Sequence, residues 1–267
     1  DRAREMLVDL YRPLTLNEVP VVVTDRRTAE LIKYAANAFL AMKISFINEI
    51  ADLCETLGGD VAQISRGIGL DNRIGPKFLQ PGPGYGGFCF PKDTLALART
   101  ASDAGRPMEL VEATVRVNNR RKASMARKIA GALGGDIAGK KIAILGLTFK
   151  PNTDDMREAP SLVIVPTLQA MGAQISAYDP QGQEAKRLLS GIELKDTPYD
   201  AIEGADAVVI LTEWDQVRGL DLDLVKASMK GVVMVDLRNI YDPADVTGAG
   251  LEYVGIGRAT EKRAIFS

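Results

Sequence analysis

The sequence predicts an α/β chain: an all-helical central region followed by a doubly wound parallel sheet. Three observations carry that reading. Residues 25–57 contain no glycine or proline, hold apolar side chains at helical spacing and stop at Gly58-Gly59. From Lys141 onward, short β-branched runs alternate with helical segments, as they do where parallel strands are joined by crossover helices. Between the two regions lies Gly82-Pro83-Gly84-Tyr85-Gly86-Gly87-Phe88-Cys89-Phe90-Pro91-Lys92-Asp93, with four glycines and two prolines. Glycine lets the backbone take left-handed angles and approach a ligand, and proline stiffens the bends.

At 267 residues, 46% hydrophobic and 25% charged, the chain has the composition of a globular protein and room for two domains. A formal net charge of −2 gives no basic field for nucleic acid or a membrane surface. No apolar run approaches the roughly 20 residues that span a bilayer, and the first residues do not read as a signal peptide. Two cysteines without framework spacing imply a reducing compartment, the cytoplasm. Histidine is absent, which removes histidine acid–base catalysis and histidine metal sites, so no metal is expected. The chain starts at Asp1 rather than at methionine and is expected to lack a segment upstream.

Asp1–Leu10 reads as the end of a helix, followed by a connector around Pro13 and a short strand at Val21–Val23. Thr24 or Asp25 caps the long helix. Its apolar residues, including Leu31, Ile32, Phe39, Phe46, Ile47 and Leu53, cover more than one face, as in a helix buried in a core or against a partner subunit. Lys33, Asn37 and Asn48 interrupt them on one narrow stripe. That stripe is either a solvated face or, with flanks this apolar, a set of buried groups that need partners. Further helices are expected over Val61–Ile68, Thr94–Ala104 and from Pro107 to about Gly134. In the last of these, Arg116, Arg120, Arg121, Lys122, Arg127 and Lys128 read as a solvated face rather than a nucleic-acid patch.

Strands are expected at Lys141–Leu147, Gln174–Tyr178, Ala207–Leu211, Val232–Asp236 and Leu251–Gly255. Helices fall near Ser161–Met171, Gln181–Leu189 and Leu222–Met229. A Rossmann-like sheet of this kind binds ligands at the carboxyl ends of its strands, where Phe149-Lys150, Asp179 and Arg238 lie. No GxGxxG follows the first strand, so the sheet is not an ordinary dinucleotide site. Cys54 sits in an apolar helical run and reads as a packed thiol. Cys89 sits on the glycine-rich loop, close to Lys92 and Asp93. A neighbouring cation favours the thiolate, the form that attacks carbon, and a carboxylate can take a proton from water. Cys89 is the candidate nucleophile.

The run GYGGFCFPKD (residues 84–93) resembles the active-site loop of the UDP-glucose/GDP-mannose dehydrogenase family. KYAANAFLAMKISFINE (33–49), ILGLTFKPNTDDMREAP (144–160) and VVMVDLRNIYD (232–242) resemble its other motifs. The resemblance covers nearly the whole chain and implies three parts. Residues 1–24 would be the end of, or connector from, a missing N-terminal NAD-binding domain. Residues 25–135 would be a helical central domain that dimerises and carries the catalytic Cys89, and residues 136–267 a UDP-sugar-binding domain. The family converts a sugar-nucleotide alcohol to a carboxylate with two NAD, holding the second oxidation level on its cysteine as a thiohemiacetal and then a thioester.

Residue by residue, the resemblance implies Lys33 and Asn37 as donors to the reacting oxygen, and Asp93, through a water, as the group that handles protons. For the sugar nucleotide it implies the Phe78-Leu79-Gln80-Pro81-Gly82 segment, Tyr85, Gly86, Phe149, Lys150 and Arg238. It adds Arg73, which would reach across a dimer interface. Lys92 and Arg157 would face NAD, most of which the missing domain would hold. Phe88 departs from the family, where a small residue such as serine is more common. The expected activity is the four-electron oxidation of UDP-glucose to UDP-glucuronate by a homodimer joined through the central helix. The alternatives are GDP-mannose as substrate, or, for the chain alone, a non-catalytic dimerising sugar-nucleotide-binding fragment.

Overall fold

The computed structural model describes residues 2–15 and 20–258. Asp1, residues 16–19 and residues 259–267, which belong to the expected first and last domains, lie outside the described residues. The chain divides into two compact units, Asp1–Ala36 and Asn37–Ser267.

The first unit contains α1 (Arg2–Thr15) and the beginning of α2 (Arg26–Leu57). The expected connector around Pro13 is instead helix. Pro13 has no N–H to give the Asp9 carbonyl, and α1 ends two residues later. Val21–Val23 is exposed and pairs with no strand, so the strand expected there does not form. Strand amides and carbonyls need a neighbour to bond. Asp25 caps α2: its carboxylate accepts from the Thr28 amide at 3.1 Å and from the Thr28 hydroxyl at 2.5 Å.

In the second unit α2 stops where Gly58 takes φ 78°, with the Gly58 and Gly59 amides both donating to the Cys54 carbonyl at 2.9 and 3.0 Å. α3 (Val61–Gly69), α4 (Cys89–Asp103) and α5 (Glu109–Ala132) complete the helical region. Ile47, Ala51 and Cys54 of α2 share a core with Met125, Ala126 and Ile129 of α5. The other flank of α2 stays open, with Phe39, Phe46 and Leu53 at 58%, 50% and 51% exposure. Within this chain the long helix is therefore buried on one face only.

β1 (Lys141–Leu145), α6 (Ser161–Ala170), β2 (Gln174–Tyr178), α7 (Gln183–Leu188), β3 (Ile192–Leu194), α8 (Pro198–Ile202), β4 (Ala207–Ile210), α9 (Asp215–Arg218), α10 (Leu222–Ser228), β5 (Val233–Asp236), α11 (Pro243–Gly248) and β6 (Glu252–Val254) follow in order. Every strand pair is parallel, and the order across the sheet is β3-β2-β1-β4-β5-β6. Successive side chains of β1 go to opposite faces. Ile142 and Ile144 join one core, and Ala143 and Leu145 join the other with Val208, Ile210, Trp214 and Val225. Burial on both faces is what makes the strands read as continuous apolar runs, and each such Ile or Leu contributes about 1.5–3 kcal/mol. The strand order reverses between β1 and β4, so the crevice at their carboxyl ends is the place for a ligand.

Candidate active site

The glycine-rich loop is held in place by side chains from the helices. The Gly82 amide donates to Asn48 Oδ1 at 2.8 Å, and Arg121 Nε donates to the Gly82 carbonyl at 3.0 Å. Asn118 bonds both sides of one residue: its Oδ1 accepts from the Tyr85 amide at 2.8 Å, and its Nδ2 donates to the Tyr85 carbonyl at 3.1 Å. The Gly87 amide donates to the Arg157 carbonyl at 2.7 Å, fastening the loop to the segment after β1. Gly87 has φ 77°, and a Cβ there would run into the Phe149 ring, so only glycine fits.

Arg121 and Lys122 are each 3% exposed, which corrects their reading as part of a solvated face. Arg121 also pairs with Asp52, and Lys122 Nζ donates to the Glu158 carbonyl at 2.8 Å. Burial pushes the Lys122 ammonium below its ordinary value. Asn48, 2% exposed, is a buried polar group with a partner, as its apolar flanks imply.

α4 starts at Cys89, five residues before the expected Thr94, so the thiol stands in the first turn of a helix rather than on the loop. The first amides of a helix have no acceptor within it and form its positive end. Cys89 is exposed, whereas Cys54 is buried and its thiol is pushed up by desolvation. One turn into α4 the carboxylate of Asp93 is fully buried. It accepts from Asn37 Nδ2 at 2.6 Å and pairs with Lys92. The structure therefore brings Asn37, Asp93 and Lys92 together beside the thiol. Lys33 lies in the first unit, on α2, and is exposed, against the expectation of a buried lysine.

Cys89 separates residues that line two cavities. The larger, of about 620 Å³, is walled by Phe78, Gln80, Gly82, Tyr85, Gly86, Phe149, Lys150 and Arg238, all expected from the sequence. Ile44, Pro76, Lys77, Gly84, Phe90 and Glu213 line it as well and were not expected. Phe78 has φ 64°, a strained angle for a phenylalanine, and its ring packs 5.9 Å from that of Phe90, which in turn meets Tyr85 edge-on at 6.0 Å. Leu79, expected to meet the sugar nucleotide through its backbone, has its side chain 1% exposed in the core, and its carbonyl accepts from Ser65 Oγ at 2.7 Å. Pro81 is not on the wall. Arg73 is exposed and bonded to Asp71, whose carboxyl it holds below the usual range.

The second cavity, of about 390 Å³, is lined by Gly87, Phe88, Pro91, Lys92, Leu95, Arg157 and Glu158. Arg157 pairs with Asp155 at 2.8 Å and thereby holds that carboxyl low. Lys92 and Arg157 give this cavity two cations, which suit a group that carries phosphates.

Among the strand ends, Asp179 is corrected. Its Oδ2 accepts from the amides of Leu147 and Thr148 at 2.6 and 3.0 Å, from Thr148 Oγ1 at 3.1 Å and from Trp214 Nε1 at 3.1 Å. The amides after β1 could cradle a phosphate, but a carboxylate of the chain already occupies them. That leaves the side-chain cations of the larger cavity, Lys77, Lys150 and Arg238, for an anionic ligand. Arg238 is braced by donating through Nε to the Leu211 carbonyl at 2.6 Å and through a terminal nitrogen to the Phe149 carbonyl at 3.2 Å. Its Nε lies 3.1 Å from Glu213. Glu213 lies three residues past the end of β4 at the reversal point, and the strand-end rule could have found it.

The UDP-glucose/GDP-mannose dehydrogenase family profiles match the chain twice: the central domain over residues 27–120 and the UDP binding domain over residues 143–243. A UDP-glucose 6-dehydrogenase of Rhizobium meliloti is 59% identical over 96% of this chain and 59% of its own length. The UDP-glucose 6-dehydrogenase YwqF of Bacillus subtilis is 46% identical over 97% of this chain and 58% of its own. A solved UDP-glucose dehydrogenase from Pyrobaculum islandicum superposes with a TM-score of 0.83 at 36% identity, covering 97% of this chain and 57% of that one. The chain thus spans about three fifths of the length of the relatives it matches.

Removing the Asp179 carboxylate strands three buried N–H donors, the amides of Leu147 and Thr148 and the indole of Trp214. Asp179→Ala is expected to cost about 3 kcal/mol or more in a urea titration followed by the fluorescence of Trp214, the one tryptophan of the chain. An unchanged midpoint would contradict this role.

Proposed function

Because the chain belongs to the UDP-glucose/GDP-mannose dehydrogenase family, we propose that it forms the central and sugar-nucleotide-binding parts of an NAD-dependent UDP-glucose 6-dehydrogenase. The observation that carries the reading is the position of Cys89: an exposed thiol in the first turn of α4, in sequence between Phe88 of the smaller cavity and Phe90 of the larger, and four residues before a buried carboxylate bonded to Asn37 and Lys92. UDP-glucose occupies the larger cavity, its diphosphate facing Lys150 and Arg238 and its sugar C6 reaching Cys89. Lys92 and Arg157 hold part of NAD on the other side, and the rest belongs to a domain outside this chain. In this account residues 25–135 form the dimerising central module and residues 136–267 the UDP-sugar module.

When bound, NAD accepts two electrons at each of the two oxidation levels, alcohol to aldehyde and thiohemiacetal to thioester. Lys33 and Asn37 donate to the C6 oxygen as it gains charge, the arrangement in which a donor counts most. The Cys89 sulfur adds to the aldehyde carbon, forming the C–S bond of the thiohemiacetal. After the second oxidation a water attacks the thioester, the C–S bond breaks, and the carboxylate leaves with the thiol restored. Asp93 takes the proton of that water, a role histidine cannot fill here. The reaction belongs in the cytoplasm, where the two unbridged cysteines stay reduced.

A second copy of the chain covers the open flank of α2. Phe39, Phe46 and Leu53 recur every seven residues, about half exposed, as on a helix that packs against another helix. Across such an interface Arg73 reaches the partner's sugar nucleotide. Phe46→Glu is expected to turn a dimer into a monomer in sedimentation velocity, and a dimer that survives the change would remove α2 from the interface.

The substrate assignment is tested by alkylation with iodoacetamide, read by peptide mass. Cys89 is expected to label at least tenfold faster than the buried Cys54, and UDP-glucose, but not GDP-mannose, is expected to slow it. Protection by GDP-mannose alone would transfer the proposal to GDP-mannose 6-dehydrogenase. Equal labelling of both cysteines with no ligand effect would sink the nucleophile.

A further inference from the structure

We propose that Phe88 is a positioning residue, whose ring holds Lys92 and Arg157 together on the cofactor side of Cys89. The inference rests on the reading of Cys89 as the nucleophile and goes beyond it to a residue outside the family pattern. Phe88 directly precedes the thiol and is 46% exposed, although it is large and apolar. Its ring is not spent on the core. Arg157 Cζ lies 4.4 Å from the ring centroid and Lys92 Nζ lies 5.2 Å from it, both within the range where a cation is drawn to the negative face of an aromatic ring.

The two cations come from different elements, Lys92 from the first turn of α4 and Arg157 from the segment after β1, and like charges so placed repel. Three features offset that repulsion. Lys92 pairs with Asp93, and Arg157 pairs with Asp155 at 2.8 Å. The Gly87 amide bonds the Arg157 carbonyl at 2.7 Å, which fixes the backbone from which the guanidinium extends. The Phe88 ring is the element common to both side chains. Glu158, the other charged group on this cavity wall, is engaged with Lys122 instead. A serine at this position would offer no ring face, and both long side chains would sample more of their rotamers. Phe88 therefore prearranges the cationic wall of the smaller cavity before any phosphate-bearing group arrives.

The test compares an anionic with a neutral alkylating agent of similar size, so that changes in thiol access cancel. For wild type, Phe88→Ser, Phe88→Leu and Phe88→Tyr, the ratio of the iodoacetate to the iodoacetamide rate constant at Cys89 is measured at low salt. Loss of the ring is expected to lower that ratio about three- to tenfold in Phe88→Ser and Phe88→Leu, while Phe88→Tyr keeps it. In turnover, the same two variants are expected to raise KM for NAD by a similar factor, with kcat and KM for UDP-glucose unchanged. A ratio and a KM for NAD that survive both substitutions would overturn the role of Phe88 and leave the nucleophile standing. A wild-type Cys89 that reacts with neither reagent would instead overturn the nucleophile on which the inference rests.

Discussion

The pairing of Asn118 with both the amide and the carbonyl of Tyr85 is the contact on which the site depends. A loop of alternating glycines has few side chains of its own to order it, and each glycine loses more freedom on folding than any other residue. That loss is offset from outside the loop. Asn48 and Arg121 bond the two sides of Gly82, Asn118 bonds Tyr85, and the Arg157 carbonyl takes the Gly87 amide. The loop then delivers Cys89 into the first turn of α4 with its side chain in solvent and Asp93 beneath it. Because these side chains come from α2 and α5 and the carbonyl from the segment after β1, the thiol is referenced to both the helices and the sheet.

The sheet contributes by what it has already used up. At its reversal point the amides after β1 are saturated by Asp179, and the carboxylate at the end of β5 is engaged as well: Asp236 accepts from the amides of Arg238 and Tyr241 at 3.0 Å each, and burial pushes it up. The common way of binding a dinucleotide at such a sheet is thereby closed, and side-chain cations remain to meet a diphosphate. The same physics that removes the glycine fingerprint from the first strand places Lys150 and Arg238 on the larger cavity.

Much of this was legible in the sequence because it rests on period and punctuation. The strands read as apolar runs since they are buried on both faces, and α2 ends at Gly58 because a left-handed angle is needed there. The eight cavity residues found in advance lie in runs where resemblance supplied what periodicity does not. What was missed has a common cause: it depends on long-range partners. Arg121 and Lys122 look like surface cations until Gly82, Asp52 and Glu158 are brought to them. Asp179 looks like a ligand group until the β1 loop folds over it. The start of α4 was placed late because Pro91 suggests a break, yet proline is well tolerated in a first turn. β3, α8, α9 and α11 span three to six residues each, too short for either period to register.

The central claim is that Cys89 carries the acyl group. It is tested most directly by quenching the full-length enzyme in acid during turnover of UDP-glucose with NAD and weighing the cysteine peptides. The account predicts the mass of a uridine-diphosphate-linked glucuronoyl thioester on the Cys89 peptide, absent from the Cys54 peptide and absent without NAD. Steady turnover with Cys89 unmodified at every time, matched by an undiminished rate in Cys89→Ser, would contradict it.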